Sequence, residues 1–381
     1  MEENLRLGRI AGIRVGMNWS LLVIFWLITW SLATEAFPQE APGRTDLAYW
    51  VTGVIASVLF FSSLLAHEMG HALLARRSGI AVEGITLWLF GGVARLSGEA
   101  SSARSELRVA VVGPAISLTV GVLFASLALL VDALGAPALV SAAPAWIGRI
   151  NIVLALFNLA PAYPLDGGRV LRGVLWLRHG DRIRATLTAA RAGRFFGWFL
   201  ISLGLLEFLA GGTLGGVWFV FLGWFLLGAA RAEIEGVLLR DLLKDTRVRA
   251  VMTSDPVTVA PDVSIEDLLE DYTLRHHCSA FPVVDTSGAL IGLVTLAHIK
   301  GVPPDRRREL TVEDVASPIE RVPTAGPDDR LVDLLGRITA PENRVLVLDQ
   351  GRLVGIVTAT DITRALDWAG MRSHRAPEES Q

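Results

Sequence analysis

Three residues fit for metal and acid–base chemistry stand together in the stretch SLLAHEMGHALLARRSG, from Ser63 to Gly79: His67, Glu68 and His71. On a helix, His67 and His71 are four apart and share one face. Two neutral imidazoles so placed can bind one zinc ion. Glu68, beside the metal but not on it, can take a proton from an activated water and pass it to a leaving amine. The competing reading is a polar patch on a buried helix face. The apolar surroundings weigh against it, because a titratable side chain at mid-membrane costs about 2.5–3.5 kcal/mol on insertion scales and marks function by default.

A catalytic zinc wants a third protein ligand and one open position. The candidate is far away in sequence, in FNLAPAYPLDGGR, where Asp166 is the only acid in or near the apolar stretch 145–164. Pro161, Pro164, Gly167 and Gly168 surround it, so the backbone there cannot stay a regular helix. Broken backbone at membrane depth is tolerated only where it is buried in protein or lines a wet cavity; the other reading is an ordinary helix end at the membrane surface. Asn158, eight residues earlier, lies deeper. It can hydrogen-bond a peptide or an oxyanion, or serve as a contact between helices.

These residues need a membrane scaffold, and the composition supplies one. The chain has 381 residues, 52% of them hydrophobic, with a mean hydropathy of +0.47. Nearly all long apolar runs precede residue 231. Six stretches suit spans of about 20 residues: roughly 17–34, 48–75, 107–131, 145–164, 195–210 and 214–230, the last two joined by the Gly-rich AGGTLGG. The basic residues alternate between loops. Arg6, Arg9 and Arg14 precede the first span, Arg76, Arg77, Arg95, Arg104 and Arg108 follow the second, and Arg169 to Arg194 follow the fourth; the loops at 132–144 and near 212 carry none. By the positive-inside rule both termini are cytoplasmic. A cleaved signal peptide is the other reading of the first span, but it would leave an odd number of spans. His67 lies nine residues before Arg76, about 14 Å along a helix. Asp166 lies just before Arg169. Both sites therefore fall in the cytoplasmic leaflet and can meet.

Between the second and third spans, GITLWLFGGVARLSG (84–98) is too interrupted to cross a bilayer. It alternates loosely and turns at Gly91-Gly92, which predicts a β-hairpin dipping into the membrane.

Residues 246–368 have ordinary soluble composition and an internal repeat of about 60 residues. Each copy predicts a short strand, a helix after an acidic cap, two strands around a Gly-containing turn, and another helix. The net charge of −3 offers nothing to a nucleic acid, and the single cysteine, Cys278, excludes an intrachain disulfide. Adjacent residues on a helix point apart, so His276, His277 and Cys278 make a poor metal site.

The motifs HEMGH at 67–71, FGG at 90–92 and NLAPAYPLDGGR at 158–169, together with the lead LRLGRIAGIRVGMNWSLLV, resemble the site-2 protease family of intramembrane zinc metalloproteases. The resemblance covers about residues 1–230. It implies that His67, His71 and Asp166 hold the zinc, that Glu68 activates the water and that Asn158 helps position the scissile peptide. It also implies that the hairpin around Gly91 and Gly92 holds substrate as an added strand, with a structural plug as the alternative. The implied substrate is a single-span membrane protein, often a tethered regulator. One departure is local: where the family often has Gly-Pro followed by Asn, GPAIS gives Gly113, Pro114 and Ser117, which bears on helix packing.

The tail resembles a pair of cystathionine-β-synthase (CBS) domains, which implies adenine nucleotide (ATP, ADP or AMP) in the cleft between repeats. Gly355, Thr358 and Asp361 in GIVTATD match the ribose-binding pattern; the first copy has Gly292 and Thr295 but His298 in place of the Asp. A pair that only dimerises or docks is the alternative. The expected architecture is thus a multi-pass α-helical membrane protein with about six transmembrane helices and a membrane-dipping hairpin, followed by an α/β cytosolic tandem CBS module. Its expected parts are a membrane metalloprotease domain over 1–231, CBS repeats over 246–306 and 307–370, and a disordered tail over 371–381. An inactive receptor would lack the general base, whereas Glu68 is present, and a nucleotide-gated transporter would show a repeated membrane architecture, which the chain lacks.

Overall fold

The computed structural model describes residues 4–89, 91–97, 100–211, 214–273, 275, 278–335, 337 and 343–373. Phe90, His276, His277 and most of the expected tail over 371–381 lie outside these. The chain forms two compact units, residues 1–235 and 236–381.

The first unit is built on long helices. Among the described residues, six segments are long and apolar enough to cross a membrane. The first runs over Ser20–Glu40 as α1 (Ser20–Ser31), a π-helical turn and α2 (Phe37–Glu40). Then come α3 (Asp46–Arg77), α4 (Ala103–Ala133), α5 (Ala138–Asn158), α7 (Arg182–Gly211) and α8 (Leu214–Leu243). A shorter helix, α6 (Asp166–His179), sits between α5 and α7. Leu123, Leu129, Phe195, Leu206 and Trp224 are exposed, as expected of faces that meet lipid rather than water. Where helices touch, small residues let the backbones close up. On α4 and α5, a Cβ on Gly121 would stand 3.1 Å from the Gly148 carbonyl, and one on Gly148 would stand 3.0 Å from that of Gly121.

The helix bounds differ from the sequence expectation in informative ways. The apolar run carries the expected fourth span to 164, but α5 stops at Asn158 and helix resumes only at Asp166. Pro161 and Pro164 cannot continue a helical hydrogen-bond ladder and push their predecessors out of the α region. Residue 17, expected in the first span, belongs to a strand.

That strand is part of a sheet. The lead forms β1 (Leu5–Ile10) and β2 (Ile13–Met17), and the expected hairpin forms β3 (Ala81–Trp88) and β4 (Gly91–Ser97). The order is β1-β2-β3-β4, with β2 and β3 parallel through Val15↔Ile85 and Met17↔Leu87. The hairpin is therefore half of a four-stranded sheet, and β4 is an edge.

The second unit is built on two main hairpins: β6 (Ala280–Val284) with β7 (Leu290–Thr295), and β10 (Arg344–Asp349) with β11 (Arg352–Thr358). Three short strands join them: β5 (Thr253–Ser254), β8 (Ser317–Pro318) and β9 (Thr324–Ala325). Two sheets result, one of order β5-β11-β10-β9 and one of order β6-β7-β8. The repeats exchange their short leading strands, since β5 pairs with β11 and β8 pairs with β7. Leu293 from one repeat and Val322, Leu346 and Ile356 from the other share a core cluster. Neither repeat completes its sheet alone.

Candidate metal centre

Helix α3 starts on a Thr45 cap, whose side chain accepts the Ala48 N–H, and ends with Arg76 and Arg77 in its last turn. Both ends suit the helix dipole. His67 and His71 lie in its C-terminal half and are buried. Asp166 is the first residue of α6, and its carboxylate meets the two rings. Asp166 Oδ2 lies 3.2 Å from His67 Nε2 and 3.1 Å from His71 Nε2, and the two Nε2 atoms are 3.2 Å apart. These three side chains form a group that could hold a metal ion.

The donor set fits zinc. The Nδ1 of His71 lies 2.6 Å from the Val109 carbonyl, which can only accept, so that nitrogen carries the proton and Nε2 presents its lone pair. Ser117 Oγ stands 2.9 Å from His67 Nδ1 and allows the same tautomer. Two imidazole lone pairs and a carboxylate oxygen then converge on one point. Three ligands at about 2.0–2.1 Å on a tetrahedral ion stand about 3.3 Å apart, close to the triangle seen here.

Two contributors escaped the sequence reading. A Cβ on Gly113 would lie 2.1 Å from His71 Nε2 and 2.5 Å from His67 Nε2, so only glycine lets α4 approach the ligand atoms. Ser117, read from the sequence as a packing substitute, instead holds the His67 ring. The Gly-Pro-x-x-Ser spacing is the signal that could have pointed to both, four residues apart on one helix face. Replacing Ser117 by Ala should weaken zinc binding about 10–100-fold, the usual effect of losing such a partner, as read by competition with a metal indicator.

The break before α6 folds back tightly. A Cβ on Gly167 would lie 2.2 Å from the Leu159 carbonyl oxygen, and one on Gly168 would lie 2.2 Å from the Tyr163 nitrogen. Glycine at both positions lets the loop lie against the start of α6 and so fixes Asp166. Asn158, the last residue of α5, is half-buried and makes no side-chain hydrogen bond among the described residues. Asn151, by contrast, is bonded at both ends of its amide: it accepts from Ser63 Oγ at 2.8 Å and donates to the Ile147 carbonyl at 2.9 Å. On the other side of the centre β4 crosses Glu68. A Cβ on Gly92 would stand 2.1 Å from Glu68 Cγ and 2.9 Å from its Oε1. Gly91 has φ +129°, a conformation that side chains rarely adopt.

The three residues proposed from the sequence for nucleotide contact all sit at helix starts. The Thr358 N–H and hydroxyl both donate to Asp361 Oδ2, at 2.9 and 2.7 Å. In the first repeat His298 takes the same part: the Thr295 N–H donates to His298 Nδ1 at 3.3 Å, completing a capping box. Thr311 and Asp314 form another. The Thr-x-x-Asp spacing thus has a local role in helix initiation. Cys278 packs against the core of the second unit.

A bundle of long apolar helices around a His–His–Asp centre, with a further carboxylate beside it, defines a membrane-embedded metallohydrolase. Peptidase family M50 matches residues 55–142 and 133–200, and the CBS domain matches residues 248–304 and 312–367. The chain is 45% identical over 369 residues to Rip3 of Mycobacterium tuberculosis, covering 96% of this chain and 94% of that protein. It is 32% identical over 372 residues to sll0528 of Synechocystis sp., with 96% of each covered. Both bear the name zinc metalloprotease. It is also 29% identical over 368 residues to the zinc metalloprotease MJ0392 of Methanocaldococcus jannaschii, covering 96% of this chain and 97% of that one. The chain belongs to the M50 (site-2 protease) family of zinc metalloproteases and carries a C-terminal pair of CBS domains.

Proposed function

We propose that this protein hydrolyses a peptide bond in or near the transmembrane segment of a single-span membrane protein. His67, His71 and Asp166 hold the zinc and Glu68 is the general base. The observation that carries this reading is the convergence of three ligand atoms 3.1–3.2 Å apart beside Glu68. Bound there, zinc would act as a Lewis acid that acidifies a water and polarises the scissile carbonyl. Glu68 takes the proton as the water adds to the carbonyl carbon, then delivers it to the nitrogen as the C–N bond breaks. Asn158, with its amide uncommitted, donates to a carbonyl of the bound peptide. A helical peptide bond is shielded, so the substrate must unwind first. An added strand on β4 would supply the backbone partners it loses and lie along Gly91 and Gly92, over Glu68.

Both termini face the cytoplasm in this reading, following the arginine-rich loops, and the cut falls in the cytoplasmic leaflet. Adenine nucleotide at the CBS pair, with Thr358 and Asp361 at the second repeat and Thr295 at the first, modulates the rate. The alternative for that pair is dimerisation.

The test is cleavage of a model single-span substrate by the full chain in liposomes. Cleavage should stop on chelation and return on adding zinc, and ATP, ADP or AMP should change the rate. Cleavage indifferent to chelation would contradict the metal reading. A rate indifferent to all three nucleotides would leave the CBS pair as a dimerisation or docking module.

A further inference from the structure

One face of α4 addresses the whole metal centre. Its residues Glu106, Val109, Gly113 and Ser117 follow at steps of three, four and four, which stacks them along one side of a helix. Val109 and Ser117 bond the two histidine rings, and Gly113 lies against both Nε2 atoms. The fourth residue, Glu106, reaches the helix that carries Asp166. Glu106, only 1% exposed, accepts from Arg172 Nε at 2.6 Å and also from Arg172 Nη2. Arg172 is on α6, six residues or about 9 Å beyond Asp166.

A second carboxylate closes the arrangement. Arg172 Nη1 donates to Glu233 of α8 at 3.1 Å. The Arg172 guanidinium lies over the Tyr163 ring, 5.6 Å from its centroid. Tyr163 precedes Asp166 by three residues, so the chain on both sides of Asp166 is held at one cluster. A buried ion pair is weak evidence for stability, since a packed apolar pair of similar volume is often as stable. What the charges add is one allowed register.

We propose that the Glu106–Arg172–Glu233 cluster is a positioning device for Asp166, setting α6 against α4 so that the carboxylate meets both imidazoles. This rests on the reading of Asp166 as a metal ligand. The three are positioning residues, acting through Asp166.

The test uses the full chain in detergent, with zinc affinity and the visible ligand-field spectrum of the cobalt-loaded protein as readouts. The double substitution Glu106→Leu with Arg172→Met replaces the ion pair by apolar side chains. It should leave a folded protein whose metal affinity falls about 10–100-fold and whose cobalt bands shift. Glu106→Gln should act in the same direction. Glu235→Ala, which removes only the exposed pair with Arg231, should change neither readout. A folded double variant with wild-type affinity and spectrum would overturn the proposal; if it does not fold, the same result from Glu106→Gln would do so. Asp166→Ala separates the two levels. If it abolishes the wild-type spectrum while the cluster variants keep it, only the positioning role fails. If it keeps the spectrum, the ligand assignment itself is wrong.

Discussion

Replacing Glu68 by Gln should lower cleavage about 10²–10⁴-fold, the range that a positioned general base contributes, while zinc content stays at the wild-type level. The reason is the division of labour in the site. The three proposed ligand atoms, from His67, His71 and Asp166, converge without Glu68. Glutamine keeps the size of the side chain, so its fit beneath Gly92 is unchanged, but it cannot accept the proton. Activity assays paired with metal analysis of the same preparations separate this outcome from metal loss. An equal fall in zinc and activity would make Glu68 a ligand or a structural residue instead.

Gly113→Ala should have an effect of similar size by a different route. The added methyl would stand 2.1 and 2.5 Å from the two Nε2 atoms, well inside contact distance. The rings cannot swing away without losing the Val109 and Ser117 contacts at their other nitrogens. The methyl also intrudes where the two lone pairs converge. Zinc affinity should fall by more than about 100-fold, beyond the usual loss for one outer partner, and cleavage should fall with it. Zinc titration of the purified variant decides this. A zinc-loaded, active Gly113→Ala protein would mean that α4 can withdraw, and that the close approach seen here is not needed for the chemistry.

The contrast between Glu68 and Gly113 reflects what a single sequence can display. His67, Glu68 and His71 lie within one helical turn, where spacing alone fixes which side chains share a face. Asp166 is legible because an acid amid Pro and Gly in an apolar stretch is costly to keep without a function. Gly113, Ser117, Glu106 and Arg172 act between helices, and the sequence carries no register from which to pair α4 with α3 or α6. Ser117 therefore reads as packing until the helices are seen together. The same limit applies to the sheet. The 84–98 hairpin shows its alternation, but the parallel pairing of β2 with β3 joins segments about 70 residues apart. In the CBS repeats the exchanged strands are two residues long, too short to show a period. Thr358 and Asp361 stand out in the sequence, but the spacing that would suit a ribose is also that of a helix cap, which the two residues form.

The proposed reaction of this centre is the addition of water across a peptide bond inside a membrane segment. Its most direct test is mass spectrometry of the products formed from a single-span substrate in liposomes prepared in ¹⁸O-water, with wild-type and Glu68→Gln protein side by side. One new carboxyl terminus carrying ¹⁸O should appear near the cytoplasmic end of the substrate's apolar segment, formed by the wild type and all but absent with Glu68→Gln. The same product formed equally by both proteins, or a cut confined to the soluble part of the substrate, would contradict it.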